Sequence, residues 1–228
     1  PVLLFLVILR RSDVYRLVPS RVAVQSLVAG AVVAVGAALA NRALQDGFGF
    51  DLTQMTRYVA PVVEETAKAV WVVWLVIRHR CGFQLDAAIH GFAVGAGFAL
   101  VENVYYLLNV TDAPLVLWIV RGFGTAIMHG CATAIFAILF KEISDRSPRG
   151  RWGLLFLPLL ASIVLHSTYN HFHLPPLMSA LVLLATFPLI TLGVLVRSER
   201  ATRDWVHTGF DSDAEMLSVL MSGELPDS

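Results

Sequence analysis

A chain of 228 residues that is 57% hydrophobic and only 15% charged has too little polar surface to cover itself as a water-soluble globule, and an integral membrane protein is the class that remains. Its 17 basic and 17 acidic residues balance, which removes any whole-chain case for nucleic-acid binding. Cys81 and Cys131 lie at the edge and inside of apolar runs and supply neither a disulfide framework nor a Cys-x-x-Cys metal site.

Along the chain, Pro1–Leu9 falls short of the roughly 20 residues a spanning helix needs and reads as the tail of a truncated first helix. Val22–Ala40 is an uncharged span. Tyr58–Ile77 carries Glu64, Glu65 and Lys68, with Pro61 at a helix start. Phe83–Leu108 carries Asp86, His90 and Glu102, and its Gly91-x-x-x-Gly95-x-Gly97 is expected to be a close helix-packing face. Pro114–Phe140 carries Arg121 and His129 and is expected to be capped by Thr111-Asp112. Trp152–Phe172 contains His166, Asn170 and His171, and Leu177–Val196 is uncharged. Pro158 and Pro188 are expected to kink their spans. The expected fold is an all-α polytopic membrane bundle of about seven transmembrane helices, the first truncated. Residues 1–197 form one transmembrane domain, and 198–228 a polar tail with a short amphipathic helix at Asp213–Met221.

Orientation follows from the basic residues of the short connections. Arg10, Arg11, Arg16 and Arg21 precede the second span, and Arg78 and Arg80 follow the third. Lys141, Arg146, Arg149 and Arg151 follow the fifth, and Arg197, Arg200 and Arg203 the seventh. Asn41–Arg57, Asn109–Ala113 and Phe172–Pro176, the alternate connections, are poor in base. With seven spans every basic loop falls on one side, so the basic loops and the tail are expected to be cytoplasmic in a multi-pass protein of the cell membrane.

Ionisable groups inside a bilayer are costly and face a bundle interior or a wet cavity, where they carry function. At 1.5 Å rise per residue, Glu64 and Glu65 lie about 6–7 Å to the outer side of their segment's middle, Glu102 about 10 Å, Arg121 about 8 Å, His166 about 6 Å and Asn170 about 12 Å. His129 alone falls about 3 Å to the inner side, a depth that a tilted or kinked span would reconcile. Lys68 is three residues from Glu65 and four from Glu64, so it can pair with either, while the two adjacent glutamates point about 100° apart. His166 and Asn170 share a face. His90 and Asp86 are expected at the inner boundary, and His171 and His173 at the outer surface.

Glu64-Glu65-Thr-Ala-Lys68, Phe98-Ala-Leu-Val-Glu102-Asn103, His129 and His166-Ser-Thr-Tyr-Asn170 stand on four successive spans. In this order they resemble the EExxK, FxxxEN, histidine and last motifs of the PrsW-type intramembrane proteases, within the superfamily of CAAX prenyl proteases and bacteriocin-processing proteins. The resemblance runs from about Pro61 to Asn170. It implies hydrolysis of a peptide bond near the outer side of a membrane-anchored protein such as an anti-sigma factor, with the bilayer as the other partner. It implies Glu64, Glu65, Glu102, His129, His166 and Asn170 as catalytic residues, with Lys68 and Asn103 in support. Two mechanisms follow. In one, Glu64 or Glu65 takes a proton from water while His166 and Asn170 polarise the carbonyl. In the other, His129, His166 and Glu102 hold zinc and a second glutamate is the base. A proton-coupled transporter or channel, or a non-catalytic scaffold that binds a transmembrane partner, would also place carboxylates and histidines in a membrane.

Overall fold

The computed structural model describes residues 2–11, 18–109, 114–148, 150–171 and 173–222, and among these the chain is helical without a strand. Seven helical runs result. They are α1 (Val2–Arg11), α2 (Ser20–Phe48), α3 (residues 52–77), α4 (Gln84–Asn109), α5 (Leu115–Arg146), α6 (residues 151–170) and α7 (Pro176–Ser222). Thr111-Asp112, the expected cap of α5, and Arg16 and Arg149 of the basic loops lie outside the described residues.

Five stretches are long and apolar enough to cross a membrane: Ser20–Phe48, Gln84–Asn109, Leu115–Arg146, Trp152–Asn170 and Leu177–Val194. The other two expected spans fall outside that set for different reasons. α1 has ten residues, about 15 Å at helical rise. The stretch Ala60–Ile77 of α3 is long enough but carries Glu64, Glu65 and Lys68, all buried against neighbouring helices rather than facing lipid.

Several boundaries differ from the sequence reading. α2 runs eight residues past Ala40, so the connection to α3 shrinks to three residues. Gly49 closes α2 in the left-handed region (φ 69°), its N–H donating to Gln45 O at 2.9 Å. Asp51 then opens α3 with a reciprocal capping box to Gln54. α3 begins with a π-helical turn at Met55–Val59 and becomes α-helical at Ala60. α5 contains a second π-helical turn, Arg121–Thr125. α6 is interrupted at Leu155, three residues before Pro158, which has no amide to close that turn. α7 passes Pro188 without a break and continues to Ser222, so Asp213–Met221 is part of a 47-residue helix and not a separate short one.

α4 is the centre of the bundle. Every residue from Leu85 to Ala99 is buried, so it is enclosed on all sides over four turns. Its small residues allow this. A Cβ on Gly91 or Gly95 would press into the backbone of α5 at Thr133 and His129, and one on Gly97 would overlap the Leu27 carbonyl of α2. Gly30 of α2 faces the Val94 carbonyl in the same way. The glycine stripe is thus a two-sided packing face. At one end Phe92 stacks with Phe187 of α7 and meets Phe5 of α1, which seats these outer helices on α4.

Candidate functional site

Close contact of α4 with α2 and α5 brings the polar residues of α3, α4, α5 and α6 into one cluster. Lys68 is fully buried, and its Nζ donates to Glu65 Oε1 (2.7 Å) and to His129 Nδ1 (2.8 Å). The same ammonium lies 4.0 Å above the ring of Phe98. His166 Nδ1 lies 2.9 Å from Glu65 Oε1. His129 Nε2 lies 3.0 Å from Glu102 Oε2, and Arg121 Nη2 lies 3.3 Å from that same oxygen. Arg121 also donates through Nε to Asn103 Oδ1 (3.0 Å) and stacks 3.5 Å above Tyr106. An unbroken chain of contacts therefore runs Arg121–Glu102–His129–Lys68–Glu65–His166.

Lys68 chooses Glu65, the nearer of its two possible partners in the chain. Glu64, pointing elsewhere, accepts from Asn41 Nδ2 of α2 at 3.1 Å. Asn41 looked like a loop residue because the sequence hides the extra eight residues of α2. The other oxygen of Glu64, Oε2, is buried without a hydrogen-bond partner. Ligand-capable atoms of Glu64, His129 and His166 all lie within 4.8 Å of one another. The two histidine rings stand nearly perpendicular, at 88°, with centroids 4.8 Å apart.

These three residues fit a zinc ion in donor type and number, two imidazoles and a carboxylate. The charges agree, since three carboxylates face only Lys68 and Arg121 and leave one negative charge over. The residues grouped closely enough to hold an ion differ from the expected set in one member, Glu64 standing with the two histidines while Glu102 is tied to His129 and Arg121. Both nitrogens of His129 are engaged, so ligation by His129 replaces its bond to Lys68 or to Glu102.

Despite the depth expected for it, His129 joins the cluster, meeting Lys68 through Nδ1 and Glu102 through Nε2. Asn170, by contrast, lies outside the contact chain. Its Nδ2 donates to the main-chain oxygen of Thr56 (2.9 Å), and neighbouring Ser167 Oγ donates to Arg57 O (2.6 Å). His90 and Asp86 are buried within the bundle. His90 Nδ1 lies 3.1 Å from Ser26 Oγ, which also accepts from Trp71 Nε1, and Asp86 accepts from the amides of Gly82 and Phe83. His171 is held by Ser167 O and Tyr58 Oη, and His173 is exposed.

Comparison with known proteins agrees with the four motifs. The model of a family described as PrsW family intramembrane metalloprotease matches residues 18–195. A curated relative, Protease PrsW of Clostridioides difficile (strain 630), is 26% identical over 146 residues, which cover 61% of this chain. The chain spans about 60% of that relative's length. No solved structure matches.

Proposed function

The chain belongs to the PrsW family of intramembrane metalloproteases, and from that premise we propose that it hydrolyses a peptide bond in the membrane-anchored segment of a protein substrate such as an anti-sigma factor, near the outer side of the bilayer. One observation carries this reading: the buried, unpartnered Glu64 Oε2 lies among ligand-capable atoms of His129 and His166 in the interior of a membrane bundle. A buried acceptor without a partner is costly to maintain and calls for something to bind. Water, a proton or a cation satisfies it, and each belongs to hydrolytic chemistry.

The roles of the residues follow from their partners. Lys68 neutralises Glu65, which fixes His166 through Nδ1 and leaves His166 Nε2 for the reacting group. Glu102, balanced by Arg121, orients His129 through Nε2. Asn103 holds Arg121 in place through Nε. A zinc ion held by Glu64, His129 and His166 would polarise the peptide carbonyl and make water more acidic. Proton transfer is assigned to the glutamates. Glu64 accepts through Oε2 where no ion takes that atom. Where one does, the acceptor is Glu102, whose side chain is 25% exposed and reachable by water.

The test is a terminus-resolved proteomic comparison of membranes holding the wild-type chain or the Glu64→Gln/Glu65→Gln variant. The expected outcome is a set of new termini in or beside single-span proteins, present only with the wild type, because loss of a general base costs about 10²–10⁴-fold in rate. Identical termini with both proteins folded and abundant would overturn the reading. They would leave a proton-coupled transporter or a scaffold as the better account of the same carboxylates.

A further inference from the structure

Pro61 stands four residues before Glu65, and it removes a hydrogen-bond donor from the most polar helix of the bundle. In the π-helical turn Met55–Val59 the Ala60 N–H donates to Met55 O rather than to Thr56 O. The next amide in that register, the one that would serve Thr56 O, belongs to residue 61. Proline has none. An α-helical register would fail in the same place, because there residue 61 serves Arg57 O. Either way Pro61 leaves one main-chain oxygen of the outer turn of α3 without its helical donor.

α6 supplies donors to this turn. Asn170 Nδ2 reaches Thr56 O at 2.9 Å and Ser167 Oγ reaches Arg57 O at 2.6 Å. The same α6 carries His166, whose Nδ1 lies 2.9 Å from Glu65 Oε1 one turn further along α3 from Pro61. Main-chain contacts at 56 and 57 and the side-chain contact at 65 therefore join the same two helices. The first two fix how far α3 slides and turns against α6, and this sets where Glu64 and Glu65 stand relative to His166.

We propose that Asn170 and Ser167 form a clip on the proline-opened turn of α3 and that Asn170 is a positioning residue, holding the glutamate pair in register with His166, rather than a donor to the substrate carbonyl. The inference builds on the proteolytic reading above and adds the requirement for Pro61. The clip is needed because residue 61 lacks an amide, so restoring that amide removes the need for the clip.

The experiment is a suppression test on the full chain in nanodiscs with two readouts. Hydrogen–deuterium exchange follows the peptide covering residues 55–63, and cleavage of a substrate identified by the proteomic comparison follows activity. Asn170→Ala is expected to raise exchange in that peptide and to slow cleavage about 10²-fold, the scale of a small misplacement of catalytic groups. Asn170→Asp, equal in size but without an N–H, is expected to match it. In Pro61→Ala/Asn170→Ala the restored amide is expected to return exchange to the level of Pro61→Ala alone and cleavage to that variant's rate. Pro61→Ser supplies the same amide if Pro61→Ala does not accumulate. Unchanged exchange in Asn170→Ala and Asn170→Asp would overturn the clip. So would a double variant that exchanges like Pro61→Ala yet cleaves as slowly as Asn170→Ala, since that result puts Asn170 in contact with substrate. If the wild type cleaves nothing, the proteolytic reading fails, and the exchange arm still decides the clip.

Discussion

The pairing of Lys68 with Glu65 is the least replaceable contact of the site, because neither side chain has water to fall back on. Removing one partner of such a pair leaves the other charge buried alone, which costs about 3–5 kcal/mol. Lys68→Met is therefore expected to lower the thermal midpoint in detergent well below that of the wild type. Lys68→Met/Glu65→Gln, which removes both charges, is expected to regain much of the loss. A single variant as stable as the wild type would contradict this account. The motif spacing left open which glutamate Lys68 chooses, since both lie within helical reach. Partners on other helices, such as Asn41 for Glu64, decide it, and no local pattern encodes them. A different outcome is expected at Cys81. Burial first, and the nearby Asp86 second, push its thiol up to about 12, so almost none is thiolate at neutral pH. Maleimide or iodoacetamide at pH 7 is expected to leave both cysteines of the folded protein unmodified, Cys131 being buried as well, and to label both after denaturation.

Helix packing was partly visible in the sequence, and the helix ends were not. The glycines of α4 could be read because small residues four apart in an apolar run have few other uses, and α2 and α5 close against them. Gly95→Val would press a side chain into the His129 carbonyl, forcing α5 outward and moving the imidazole that meets Lys68 and Glu102. Overpacking of this kind costs about 1–3 kcal/mol, so a lowered thermal midpoint and reduced cleavage are expected together. Gly36→Ala, where an added Cβ meets nothing within 4 Å, is the matched control and should leave both unchanged. The extra turns at the ends of α2 and α5 were hidden because polar residues there face solvent or other helices, and a hydropathy reading stops at the first of them. The π-helical turns were hidden for a related reason. At that of α3 the oxygens of Thr56 and Arg57 accept from Asn170 and Ser167 of α6, partners that no local pattern announces.

At the scale of the whole molecule, alternation of basic and neutral connections predicts that the two ends of α3 face opposite sides of the membrane. Since the native cysteines are expected to be silent, single reporters can be added to the natural chain. Asp51→Cys and His79→Cys, both at exposed positions, are expected to react with impermeant maleimide from the outer and the cytoplasmic side respectively. Labelling of both from one side would refute the orientation. The number of helices was legible because apolar runs broken by short polar connections leave little choice. Convergence of the site was legible from depth in part: His129, expected to the inner side, joins the cluster, whereas Asn170, expected among the outer group, bonds to Thr56 O instead. The contact chain Arg121–Glu102–His129–Lys68–Glu65–His166 has a genetic consequence. Its links come from four helices and are separated by up to 101 positions, yet each orients the next. Inactivating changes at these positions should not add up: once one link is lost, a second loss finds little left to remove. In a screen for suppressors and enhancers, alleles scattered across more than a hundred codons would then behave as hits in a single unit.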